Sequence, residues 1–302
     1  MKILVSGLLN VETTVAVRGF PIPYYPIDYP FFGVRSNVSG VGFNIVRALT
    51  ALGDRPTLYS FLGRDAEAER VLRQLRADGI DASNVRQTLR ETPVSAVLYD
   101  PMGKRQIYCD LKDIQEQRLD WEAARDDLLS CDAAVLCNIE FNRPLIRAAR
   151  EHGILTATDV HVLGDVEDAY NRDFMANADI LFLSDENLPC GPEEFIRRLA
   201  DRYGNAIIVV GMGAQGAMLY VRDTDAVCAV PAYTNGPVVN TVGAGDALFS
   251  AFLHFYLRDR NAFAALQRAV VFAGLKIGYN GASVGFHTET ETEAAYRATL
   301  ES

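Results

Sequence analysis

A chain of 302 residues, 49% of them hydrophobic and with a net charge of −10, can bury a large core and lacks the basic footprint of a nucleic-acid binder. Five widely spaced cysteines without a C-x-x-C pair, and four histidines without metal-ligand spacing, argue against a disulfide framework or a zinc cluster and for a reducing compartment. No apolar run approaches a membrane span, and M-K-I-L-V-S-G reads as a short strand rather than a signal peptide, so the expectation is a cytoplasmic protein without nucleic-acid or membrane partners.

In chain order, strands and helices alternate for most of the length. Ile3–Ser6 reads as a buried strand. Ile45, Leu49 and Leu52 share one helical face, and Gly53 follows where a C-terminal glycine belongs. Thr57–Leu62 is the next strand; Asp65 then caps a helix carrying Val71, Leu72 and Leu75, ended by Gly79. The pattern continues with strand Ala133–Cys137, helix Pro144–His152, strand Ile154–Thr158 and a helix near Asp168–Ala176. Strand Ile180–Leu183, helix Pro192–Tyr203 and strand Ala206–Val210 follow. Short apolar strands separated by amphipathic helices predict one α/β domain, residues 1–302, with a mostly parallel sheet covered on both faces. Two segments break the alternation, at about 11–38 and 92–112. The first is rich in Pro, Tyr and Phe; the second reads as a hairpin turning at Pro101–Gly103. Together they predict a small β-strand lid. Its aromatic residues Tyr24, Tyr25, Phe31 and Phe32 suit packing, pairing with a second copy of the chain, or stacking on a base.

Gly211–Gly216, G-M-G-A-Q-G, matches the dinucleotide fingerprint formally, but A-M-L-Y-V continues as a strand and no acidic residue stands at the ribose position. Strand–turn–strand is the better reading, which makes an oxidoreductase the weakest alternative. The stretch Asn240–Asp246, N-T-V-G-A-G-D, carries more information. It runs into A-L-F-S-A-F-L-H-F-Y-L, so small residues open a helix whose N-terminus bears roughly half a positive charge and several unpaired N–H groups. That end suits a phosphate. Asp246 beside it is either an ordinary N-terminal cap or a general base for a hydroxyl attacking the phosphate.

The order of features resembles the ribokinase-like sugar kinases, the PfkB carbohydrate kinase family, over nearly the whole chain. The resemblance rests on S-G-L-L-N-V-E at Ser6–Glu12, on S-G-V-G-F-N at Ser39–Asn44 with A-L-G at Ala51–Gly53 and L-G-R-D at Leu62–Asp65, and on T-V-G-A-G-D at Thr241–Asp246. It implies an ATP-dependent phosphotransferase with Asp246 as catalytic base and Gly243, Ala244 and Gly245 as the anion hole. Asn10, Glu12, Gly40, Gly42 and Asn44 would face a sugar or sugar-like acceptor, with Lys104 and Arg105 reaching a phosphate. Gly213, Gly216, Thr241, Ala273 and Ile277 would line the nucleotide side, and magnesium would bridge the ATP phosphates near Glu186. Three departures stand out. Glu12 replaces a common aspartate, Asn240 replaces an aspartate that often helps hold a monovalent cation, and S-D-E-N at Ser184–Asn187 matches the family's N-x-x-E poorly. Potassium activation is therefore not carried over. A nucleoside acceptor, including pseudouridine, and a non-catalytic ligand-binding or regulatory role are the alternatives. Asp159 and His161, after a strand, are a further candidate pair.

Overall fold

The computed structural model describes residues 1–301. In chain order it contains β1 (Lys2–Ser6), β2 (Asn10–Ala16), β3 (Val34–Ser39), α1 (Val41–Ala51), β4 (Arg55–Leu62), α2 (Ala66–Ala77) and β5 (Val85–Gln87). Next come β6 (Val94–Tyr99), β7 (Arg105–Asp110), α3 (Trp121–Ser130), β8 (Ala133–Leu136), α4 (Arg143–Glu151), β9 (Thr156–Val162) and α5 (Arg172–Asn177). The remainder is β10 (Ile180–Ser184), α6 (Pro192–Tyr203), β11 (Ile207–Gly211), β12 (Ala217–Val221), β13 (Ala226–Val230), α7 (Ala244–Asp259), α8 (Ala262–Lys276) and α9 (Glu289–Glu301).

The larger sheet runs β13-β12-β11-β10-β9-β8-β1-β4-β5, and only β12 and β13 are antiparallel to their neighbours. Strands such as Ile3–Val5 and Ile207–Val210 are apolar at every position because both faces are covered. One face packs on α1, α2, α7 and α8 through Phe43, Leu75, Phe252 and Phe272; the other packs on α3 to α6 through Leu128, Ile146, Phe174 and Phe195. From β1 the chain builds outward first through β4 and β5, then in the opposite direction through β8 to β11. Ligands of such sheets bind outside the carboxyl ends of the strands at this reversal.

The two segments that break the alternation pair with each other. β2 and β6 run parallel in register Val11↔Val94 to Ala16↔Tyr99, with β3 and β7 antiparallel on either side, giving a second sheet ordered β3-β2-β6-β7. It rests on the sites below through Val97, which packs with Val242 and Ala282. The G-M-G-A-Q-G stretch is the turn of the antiparallel pair β11–β12, as the sequence predicts.

Two boundaries differ from expectation. The strand expected at Ile154–Thr158 begins at Thr156 and continues to Val162, because the Ile154 amide closes the preceding helix on the Ala149 carbonyl. The helix expected near Asp168–Ala176 is only Arg172–Asn177, because the Asp168 side chain accepts the Asn171 amide and holds a turn there.

Candidate active site

The N-terminus of α7 is capped by Gly243 in a left-handed conformation, φ 78°, where a Cβ would lie 2.3 Å from the Ala282 carbonyl oxygen. Only glycine fits there. Asp246 sits in the first turn and does not cap the helix; its Oδ2 accepts a 2.7 Å hydrogen bond from Asn44 Nδ2. The cap reading therefore fails. Among the described residues the amides of Gly245 and Asp246 have no hydrogen-bond partner, and a Cβ at Gly245 would meet nothing within 4 Å. Open space over unpaired N–H groups at a helix start is an anion cradle. Burial pushes the half-buried Asp246 carboxyl up to about 6, against the lowering effect of the Asn44 hydrogen bond and the positive charges of His161 and Lys276. A carboxylate of that strength is ionised at neutral pH yet a usable proton acceptor.

The small sheet brings further polar side chains toward the site. Asn10 and Glu12 share one face of β2; Asn10 Nδ2 donates to Ser95 Oγ at 3.1 Å and Ser39 Oγ donates to Glu12 Oε2 at 3.4 Å. Burial raises the Glu12 carboxyl, the Ser39 hydroxyl lowers it, and the charge of Asp246 raises it again. The Oδ1 atoms of Asn10 and Asn44 are buried without a partner among the described residues. Gly40 and Gly42 have a packing role that the sequence does not reveal. A Cβ at Gly40 would lie 2.4 Å from the Leu8 carbonyl oxygen and one at Gly42 2.7 Å from the Gly7 carbonyl carbon, and the Gly42 amide is already bonded to Leu8. These contacts press the start of α1 against the turn after β1, which brings Asn44 to Asp246.

On the other side of the cradle opens a cleft of about 650 Å³, a volume ordinary for a small-molecule site. It brings together Gly213, Gly216, Thr241, Ala244, Gly245, Ala273 and Ile277, with Lys104, Arg105 and Glu186 also on its wall. The turn glycine Gly213 faces open space, whereas Gly216, at φ 97°, packs tightly against Val230. Arg105 reaches across from β7, its Nη1 3.5 Å from the Thr241 carbonyl oxygen. Glu186 is exposed; burial pushes its half-buried neighbour Asp185 upward. Tyr24, Tyr25, Phe31 and Phe32 are exposed and do not line this cleft; the rings on its wall are His161, Phe182 and Tyr233.

Sequence reasoning undervalued two groups. His161, at φ 59°, lies in the cleft with its Nδ1 3.5 Å from Asp159. Burial would discharge the imidazole, but the Asp159 carboxylate outweighs it and holds the ring protonated well above its usual range. Lys276, the last residue of α8, is fully buried at the end of a largely apolar helix. A single lysine among F-A-G-L-K-I-G was the available signal.

The pfkB family carbohydrate kinase model matches residues 2–289. Deoxyribokinase from Salmonella typhi is 25% identical over 293 residues, 93% of this chain and 94% of that protein. Acarbose 7(IV)-phosphotransferase from Actinoplanes sp. is 25% identical over 257 residues, 84% of this chain and 85% of that one. The solved structure of the microbiome-derived acarbose kinase Mak1 superposes with a TM-score of 0.86 at 24% identity, covering 98% of each chain, which shows a shared fold. With its matched model and its kinase relatives, the chain belongs to the pfkB family of carbohydrate kinases.

Proposed function

We propose that this kinase transfers the terminal phosphoryl group of ATP to a hydroxyl of a sugar or sugar-like acceptor, with Asp246 as the general base. The observation that carries the reading is the Asp246 carboxylate, held by Asn44 beside an unpaired-amide cradle. Among the described residues the Asn44 Oδ1 of that same side chain, and Asn10 Oδ1 on β2, are buried with nothing to accept from. Buried acceptors left unpaired are costly, and acceptor hydroxyl groups would satisfy them. Asp246 takes the proton from the attacking oxygen, a step typically worth about 10²–10⁴-fold. The Gly243–Gly245 turn and the amide of Asp246 receive the transferring phosphoryl group, where fixed dipoles supply most of the stabilisation.

The cleft lined by Gly213, Gly216, Thr241, Ala273 and Ile277 would hold the nucleotide, with Lys104 and Arg105 closing over its phosphates from the small sheet, which acts as a lid. Asp185 and Glu186, carboxylates on the cleft wall, would hold magnesium, a hard cation that would supply neutralisation of phosphate charge there. The sugar kinases among the relatives support a carbohydrate acceptor over a nucleoside.

The test is ATP consumption against a panel of pentoses, hexoses, amino-pseudosugars and nucleosides, repeated with Asp246→Asn. Turnover with a sugar that disappears in the variant, while nucleotide binding persists, supports the reading. Unchanged turnover in the variant would sink the base assignment. Acceptor binding without turnover across the panel would favour the non-catalytic alternative.

A further inference from the structure

Lys276 is a fully buried charge that the proposed chemistry leaves unused. Its Nζ donates to the carbonyl oxygen of Val242, its one hydrogen-bond partner among the described residues. A lone ammonium in an apolar interior is costly and persists where it meets compensating charge. Asp246 on α7 and Glu12 on β2 supply that charge, while Arg105 on β7 opposes it.

The carbonyl it holds is a particular one. Val242 stands four residues before Asp246, so in an uninterrupted helix its oxygen would accept the Asp246 amide. With that oxygen taken by Lys276 and the helix broken at Gly243, the Asp246 amide is left free for the cradle. The same peptide unit carries the Gly243 N–H, and an ammonium on its oxygen polarises that donor.

The family resemblance associates this place with a monovalent cation, and the residues present do not fit one. Asn240 brings no charge; its Nδ2 donates to Asn280 Oδ1 at 2.9 Å and its Oδ1 accepts the Val242 amide at 2.8 Å, so both ends are occupied.

We infer that the Lys276 ammonium is a fixed internal cation that positions and polarises the phosphate cradle, and that the enzyme works without a dissolved monovalent cation. The inference rests on the kinase reading above. Burial brings the ammonium down to about 8, with the acids limiting the fall, so it is largely protonated at neutral pH.

The experiment compares wild type, Lys276→Met and Lys276→Arg in choline chloride and in potassium chloride. Wild type is expected to turn over equally in both salts. Lys276→Met is expected to lose about 10²-fold in kcat, comparable to removing one oxyanion donor, with KM for ATP changed far less. Its acidic pH–rate limb moves upward, because Asp246 loses a favourable positive charge, and Lys276→Arg restores the limb. A lysine that merely filled space would leave that limb in place. Calorimetric binding of the magnesium complex of a non-hydrolysable ATP analogue needs no acceptor. It should be salt-independent for wild type and about tenfold weaker for Lys276→Met. Wild-type binding or turnover that requires potassium overturns the inference, as does a folded Lys276→Met variant with unchanged binding. Salt-independent binding that Lys276→Met weakens, but with no turnover by any acceptor, upholds Lys276 and counts against the kinase reading instead.

Discussion

The Asp246 carboxylate accepts a 2.7 Å hydrogen bond from Asn44, a residue 202 positions away in the chain. This single contact joins the two glycine-containing motifs and bears on the acidity of Asp246. It favours the charged form, opposing the burial that pushes Asp246 up to about 6. Asn44→Ala is therefore expected to raise the acidic limb of the kcat/KM profile above its wild-type midpoint near pH 6. A profile measured from pH 4.5 to 8 in both proteins checks this, and an unmoved limb would show that another group sets it.

A carboxyl raised in the folded state favours folding when protonated. That contribution is fully present below the unfolded value of 3.8 and is lost as pH rises through about 6. Asp246→Asn removes the cost of the buried charge at neutral pH. It should stabilise the protein by about 2 kcal/mol at pH 7, after allowance for solvent on the exposed side, and far less at pH 4. Denaturant melts at the two pH values test the sign. The variant would be sturdier and inactive, a trade expected where a site holds an uncompensated charge.

The two glycines of the cradle should fail differently. Gly243→Ala forces a Cβ against the Ala282 carbonyl in a left-handed backbone, so both stability and activity fall, stability by about 1–3 kcal/mol. Gly245→Ala meets nothing and leaves the melting temperature near wild type, yet its methyl group occupies the space a phosphate needs. Its loss should appear in turnover and nucleotide binding alone. Calorimetry on the pair separates the two effects.

Far below the site, Asp54 accepts from the Met1 ammonium at 2.9 Å and meets His254 Nδ1 at 2.8 Å, with both side chains buried. His254 lies on α7, so this pair pins the same helix that carries Asp246. Asp54→Ala should cost about 1–3 kcal/mol, the usual penalty for leaving a buried hydrogen-bonding group unpaired. Thermal melts read the loss, while kcat measured well below the transition should be nearly unchanged.

Much of the larger sheet was legible because buried parallel strands are continuously apolar and their helices end at glycines such as Gly53, Gly79 and Gly153. The small sheet was legible only as a departure from periodicity. Its central β2–β6 pairing joins segments about 80 residues apart, which no local pattern records. In the proposed site, Asp246 and the glycine turn before it stand out in the sequence because small residues and a carboxylate at a helix start form a short, recognisable pattern. Gly40 and Gly42 read as ligand residues, although close backbone approach is what demands glycine there. Lys276 was hidden because a buried lysine and a solvated one look the same until the packing around them is known.

The distance along the chain between Asn44 and Asp246 also governs when the enzyme can exist as a catalyst. During synthesis Asn10, Glu12 and Asn44 leave the ribosome long before Gly243, Asp246 and Lys276. The Asn44–Asp246 contact forms only when the last-made helices close onto the first-made layer.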